Sequence, residues 1–189
     1  MADWQFIISR IYVWFTRWNR CRGFGIQSPN DYAFVRDVIN EHRKYYAYSS
    51  LKRKYRSLGA INRKKGELYL RVANYRQPTH VLDMVGNEDH AHDYILAGCS
   101  SCHILTEASE QEVLAVDMLR CRVDDLGWME KMQDVVIIIV EPATGYTIKS
   151  KAWRQLVDRL PFGISYDLYY CGIIIIDKNR YKQNYIINF

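Results

Sequence analysis

The 189-residue sequence predicts an α/β protein built on a mostly parallel sheet. Three features carry that expectation. After Pro78, short apolar runs alternate with helical patterns, as in "HVLDMV", "AHDYILAG" and "CHILTE". "DVVIIIVEP" is a continuous β-branched run closed by Pro142, the pattern of a strand covered on both faces. Finally, "GISYDLYYCGIIII", a turn "DKNR" and "YKQNYIINF" read as a C-terminal antiparallel hairpin at one side of the sheet. Strands near 80–85, 103–107 and 134–140 are expected to be parallel neighbours.

The elements follow in chain order. In residues 4–18, Trp4, Ile7, Ile8, Ile11, Trp14, Phe15 and Trp18 recur at helical spacing, with Arg10 and Arg17 on the other side. Such a stripe is expected to dock on its own domain or on a second copy; binding to a membrane surface is the alternative. "CRGFGIQSPND" breaks the helix. Ser28 is then a good N-cap, Pro29 suits the first helical position, and a helix runs through "YAFVRDVINEH". "RKYYAYSSLKRKYRS" interleaves basic and aromatic residues, as single-strand nucleic-acid grooves do, although tyrosines that pack and bases that solvate give the same pattern. "GELYLRVANYRQ" is a helical stripe ended at Gln77-Pro78. "SEQEVLAVDMLRCRVDDLGWMEKM" reads as mainly helix. "SKAWRQLVDRL" places Trp153, Leu156, Val157 and Leu160 on one helical face.

Composition bounds the function classes. Half the residues are apolar and a quarter charged, enough for a packed core. No apolar run approaches the ~18 residues of a membrane span, and no signal peptide is read. Five cysteines, an odd number, suggest free thiols and a cytoplasmic location. Residues 1–80 hold 16 Lys and Arg against 5 acids, and residues 81–189 hold 10 against 16. That split describes a basic appendage on an acidic body, facing solvent, the body itself, or an anionic partner. Nucleic acid is disfavoured among those partners, and a homodimer stays open.

The order of elements resembles class I S-adenosylmethionine-dependent methyltransferases. "GIQSPNDYAFVRDVI", "RQPTHVLDM" and the stretch from "WRQLVDRLPF" to the C-terminus resemble a bacterial group with a Gly-Ile-His-Ser-Pro-like N-terminal segment. The resemblance covers both ends and the first βαβ unit. It implies a basic helical N-terminal extension, residues 1–77, packed on a Rossmann-like core, residues 78–189. It also implies S-adenosylmethionine as cofactor. Asp83 matches the acid that ends the first strand, and Glu107, 24 residues on, matches the acid that binds the ribose hydroxyls. Gly86 is the remaining glycine of the loop. Val85 and Asp89 stand where this group places glycines, so the loop is degenerate; a β-branched residue does not replace glycine at positive φ. Between Glu107 and Asp134 lie 26 residues, room for one crossover helix. A sheet of about five or six strands is therefore expected, and the segment that carries adenine contacts and a catalytic acid is in doubt.

Other constellations are weaker. "CSSCH" matches the haem c attachment pattern but lacks an export context. His90, His92, Cys99 and Cys102 have zinc-ligand chemistry, but the two histidines diverge on a helix, and no metal is expected. Glu141 should join Asp83 and Glu107 at the carboxyl edge of the sheet, where open α/β sheets bind ligands. The expected function is a methyltransferase-like domain, its activity in question, with an unknown methyl acceptor. The alternative is a non-catalytic interaction module whose basic N-terminal helices bind a protein partner, nucleic acid or an anionic surface.

Overall fold

The strands observed are β1 (His80–Asp83), β2 (His103–Leu105), β3 (Met118–Arg122), β4 (Val136–Glu141), β5 (Ile164–Asp167), β6 (Gly172–Ile176) and β7 (Gln183–Ile186). The structure is a computed structural model that describes residues 4–20, 23, 25–86, 89–107, 109–113, 115–124, 136–148 and 151–189. The described strands form one seven-stranded sheet in the order β2-β1-β3-β4-β6-β5-β7. β1 runs parallel to β2 and β3, and β3 parallel to β4. β6 is antiparallel to both β4 and β5. The fold class is thus the α/β, Rossmann-like arrangement expected, with strand order reversing at β1.

Three details differ from the expectation. The sheet has seven described strands rather than five or six, because β3 lies in the stretch read as helix. Asp117, Arg120, Arg122 and Asp124 made that stretch look like a solvated helix face. Its true period is two, with Leu119 and Cys121 on one face and Met118 and Arg120 on the other. β3 therefore separates β1 from β4, so these two are parallel but not neighbours. Residues 125–132 of the expected helix, and residues 133–135 ahead of β4, lie outside the described residues. At the C-terminus the antiparallel hairpin is β5–β6. β7 crosses to the far side of β5 and runs parallel to it.

Helices cover both faces. On one side lie α2 (Pro29–Phe34, prolonged by a π-turn at Val35–Ile39), α3 (Ala47–Lys54), α4 (Ala60–Arg76) and α5 (Asp89–Gly98). Their Phe34, Leu68, Tyr94 and Ile95 pack with Val81, Met118 and Ile139 of the sheet. On the other side, α7 (Lys151–Arg159) packs Trp153 and Val157 on Leu82, Leu119 and Ile138. A short α6 (Glu110–Val113) precedes β3. Ser28 caps α2, accepting from the Asp31 amide, with Pro29 following it as the sequence suggests. α4 ends at Gln77 in the left-handed conformation, just before Pro78. α4 and α5 pack closely because Gly66 abuts the Tyr94 ring and Gly98 abuts the Leu70 carbonyl; a β-carbon at either would clash.

α1 (Trp4–Thr16) differs from one of the expectations, docking of its stripe on its own domain. It does not bury its apolar stripe. Ile8, Ile11, Trp14 and Phe15 are exposed, as are Trp4 at 75% and Trp18 at 67%. The helix is held instead by its other side. Val13 is buried, Ser9 Oγ lies 2.6 Å from the Tyr169 hydroxyl, and Arg17 grips Asp167 through two 3.0 Å hydrogen bonds. Polar anchoring wins over apolar burial because Asp167, at the end of β5, offers a carboxylate that Arg17 meets bidentately. Among the described residues no helix is long and apolar enough to cross a membrane.

Candidate functional site

The strand order reverses between β1 and β3, and the carboxyl ends there are where an open α/β sheet places its ligands. Alternation decides which side chains face this edge. Val81, Met118 and Ile139 point to the α4–α5 layer, so Asp83, Arg120 and Glu141, each two residues further, point there too. All three are almost wholly buried: Asp83 and Arg120 at 1% exposure, Glu141 at 3%. Asp83 and Arg120 are register partners on adjacent strands.

The three satisfy one another with help from the helices. Arg120 Nη1 donates to both Asp83 oxygens, at 3.2 and 2.9 Å. His92, on the second turn of α5, places Nε2 2.9 Å from Asp83 Oδ2, and the Val85 amide donates to Oδ1 at 3.0 Å. A carboxylate has about four acceptor positions, two per oxygen. Those of Asp83 are taken by Arg120, His92 and the loop backbone. Glu141 is held from α4. Lys65 Nζ donates to Oε2 at 2.7 Å, and the Tyr69 hydroxyl donates to Oε1. Lys65 and Tyr69 are four apart, on one helical face. Arg120 Nε lies 3.6 Å from Glu141 Oε1, and its guanidinium covers the Tyr69 ring at 5.1 Å.

Two acids and two bases thus cancel inside the protein. Uncompensated, any one would cost several kcal/mol to desolvate. Burial pushes the Glu141 carboxyl up, but Lys65 and Arg120 beside it prevail and hold it below its ordinary value. Burial, then the Glu141 charge, raises the Tyr69 hydroxyl well above its ordinary range, so it remains a donor. The arrangement is a closed electrostatic layer between sheet and helices.

The sequence-derived residues divide. Asp83 and Glu141 are brought into this layer, bridged by Arg120. Gly86 adopts a φ of +104°, with open space where a β-carbon would stand. Val85 is not in the left-handed region, so the turn is rebuilt one residue late. Asn87 and Glu88 lie outside the described residues. Asp89 opens α5. Glu107 lies two residues beyond β2 and is exposed. Sequence reasoning missed Arg120, Lys65 and Tyr69, and weighed His92 only as a metal ligand. Lys65 and Tyr69 carried a usable signal, a base and a hydroxyl one turn apart beside the apolar stripe Leu68, Leu70, Val72 and Ala73.

These residues do not fit S-adenosylmethionine as they stand. The acid of the first strand has no acceptor position left, and its cation, Arg120, fills the layer between the sheet and α4. Among the described residues no group of three His, Cys, Asp or Glu could hold a metal. Cys99 and Cys102 are buried free thiols. Burial and the neighbouring Cys99 push Cys102 up to about 11, so it is a poor thiolate at neutral pH.

No family model matches the chain, and no curated protein matches it significantly. Among solved structures it is similar to a methyltransferase from Geobacter sulfurreducens, at 10% identity and a TM-score of 0.45, covering 70% of this chain and 89% of that one. It is similar to an O-methyltransferase from Bacillus cereus in complex with SAH, at 13% identity and a TM-score of 0.45, covering 78% and 96%. A third is the cofactor-bound Rv0187 from MTB, at 10% identity and a TM-score of 0.41, covering 78% and 96%.

Proposed function

We infer that the chain is a methyltransferase-like domain, a Rossmann-like body over residues 78–189 with a basic helical extension, whose cofactor edge has been turned into structure. S-adenosylmethionine then binds weakly or not at all. The observation that carries this reading is the saturation of Asp83 by Arg120, His92 and the Val85 amide. A ligand competing for that edge would have to break a buried charge-assisted pair. Gly86 and Glu107 are the residues left to contact the cofactor, and Glu107 carries whatever affinity remains, because it is exposed beyond β2 and needs nothing from the rebuilt turn.

The test is calorimetric titration of the whole protein with S-adenosylmethionine and its demethylated product. The expected result is no saturable heat at micromolar concentrations. Micromolar binding that Glu107→Ala weakens by about ten- to a hundredfold, the scale of a charged hydrogen bond, would instead establish a working site.

The role that remains is that of a non-catalytic interaction module. The exposed apolar face of α1 favours it: exposed patches of this kind mark interaction surfaces on soluble proteins.

A further inference from the structure

We propose that α1 is a docking element for an anionic phospholipid bilayer, lying in the plane of the lipid–water boundary with its apolar face in the lipid. This deepens the interaction-module reading and stands apart from the question of cofactor binding.

The first observation is orientation. Ser9, Val13 and Arg17 recur every four residues along the face that meets the body. Arg17 also donates to the main-chain carbonyls of Asp167 and Ile187. The helix is therefore fixed in rotation by its polar side. The opposite face presents Trp4, Ile8, Ile11, Trp14, Phe15 and Trp18 to the outside, all more than half exposed. Aromatic side chains each carry roughly 150–250 Å². Together these exceed the ~300–600 Å² of the largest apolar patch on a typical monomer.

The second observation is chemistry. Three of the exposed side chains are tryptophans and Tyr12 is exposed beside them. Indole and phenol rings join an apolar body to a polar tip, which suits the headgroup boundary. From Trp4 to Asn30 the sequence has no acid, while Arg10, Arg17, Arg20 and Arg22 supply positive charge. Arg17 is committed to Asp167, while Arg10, over the Tyr170 ring, and Lys64, over the Phe189 ring, bring their charges to the groove beside Trp14. An apolar face flanked by bases matches lipid with anionic headgroups. A second copy matches it less well: over residues 4–30 two such helices would bring only like charges together. At 13 residues α1 is too short to span a bilayer, so it lies on one.

The test is co-flotation of the full chain with vesicles of phosphatidylcholine plus phosphatidylserine, and with vesicles of phosphatidylcholine alone, while tryptophan emission is followed. The expected result is binding to the anionic vesicles with a blue shift, much weaker on neutral vesicles and reduced by added salt. Each of Trp4→Ala and Trp14→Ala should weaken partition by about tenfold or more. Because both side chains are exposed, the variants fold, which far-ultraviolet circular dichroism checks. Vesicle binding that these variants leave unchanged would overturn the proposal. So would an absence of vesicle binding. If the protein then sediments as a dimer that Trp14→Ala dissociates, the interaction-module reading survives with a second copy as occupant. If it is a monomer bound to nothing, that reading falls as well. Binding of S-adenosylmethionine, measured separately, bears on neither outcome.

Discussion

The carboxyl edge of the sheet and the first helix invert the usual rule in opposite directions. At the edge, Asp83, Arg120 and Glu141 are charged and buried. On α1, tryptophans, isoleucines and phenylalanine are apolar and exposed. The difference lies in where partners stand. Buried charges are tolerated at the edge because each meets opposite charge or a hydroxyl within the same layer. The apolar face of α1 stays outside because the strongest available partner, Asp167, draws the other side of the helix inward. Residue type alone does not decide burial; the compensation offered by the rest of the fold does.

The comparison breaks most visibly at Arg120. Arg120→Met strands the carboxylates of Asp83 and Glu141, and is expected to cost about 3–5 kcal/mol in urea unfolding. Adding Asp83→Asn should recover part of that loss, because the two residues form one unit. On the α1 side, Arg17→Met removes a partly buried bidentate pair and should cost about 1.5–3 kcal/mol. It should also release the helix, seen as faster proteolysis within residues 1–20. Lowered pH provides a graded probe. The folded state holds the Glu141 carboxyl below its ordinary value of 4.5, so it adds stability above that value. That contribution is lost as pH falls through the folded value, where protonation uncouples Lys65 and Arg120. Lys65→Met should flatten the acid limb of stability against pH. The smallest effect is expected for Trp4→Ala, whose side chain touches little of the body; unfolding free energy should move by less than about 0.5 kcal/mol. A larger loss would show that α1 buries its stripe in solution.

These contrasts explain what the sequence made legible. Alternating apolar runs located β1, β2 and β4, and the Ser28-Pro29 pair located the start of α2, since each follows from local pattern. β3 was hidden because Arg120 looks solvated until Asp83 and Glu141 are placed beside it. Asp83 was visible as a strand-ending acid, but its partner was not, being 37 residues away in sequence. The destination of β7 beside β5 rests on sheet pairing that no turn residue specifies. The outward face of α1 was illegible for the same reason: helical periodicity shows that a stripe exists, not which way Arg17 will turn it.

The central claim is that the polar residues at the sheet edge serve one another rather than a cofactor. Its most direct measurement is the thermal unfolding midpoint of the whole protein with and without an excess of the demethylated cofactor product. The account predicts an unmoved midpoint. A rise of about 5–10 °C, the shift for a ligand at roughly a hundredfold its Kd, would contradict it.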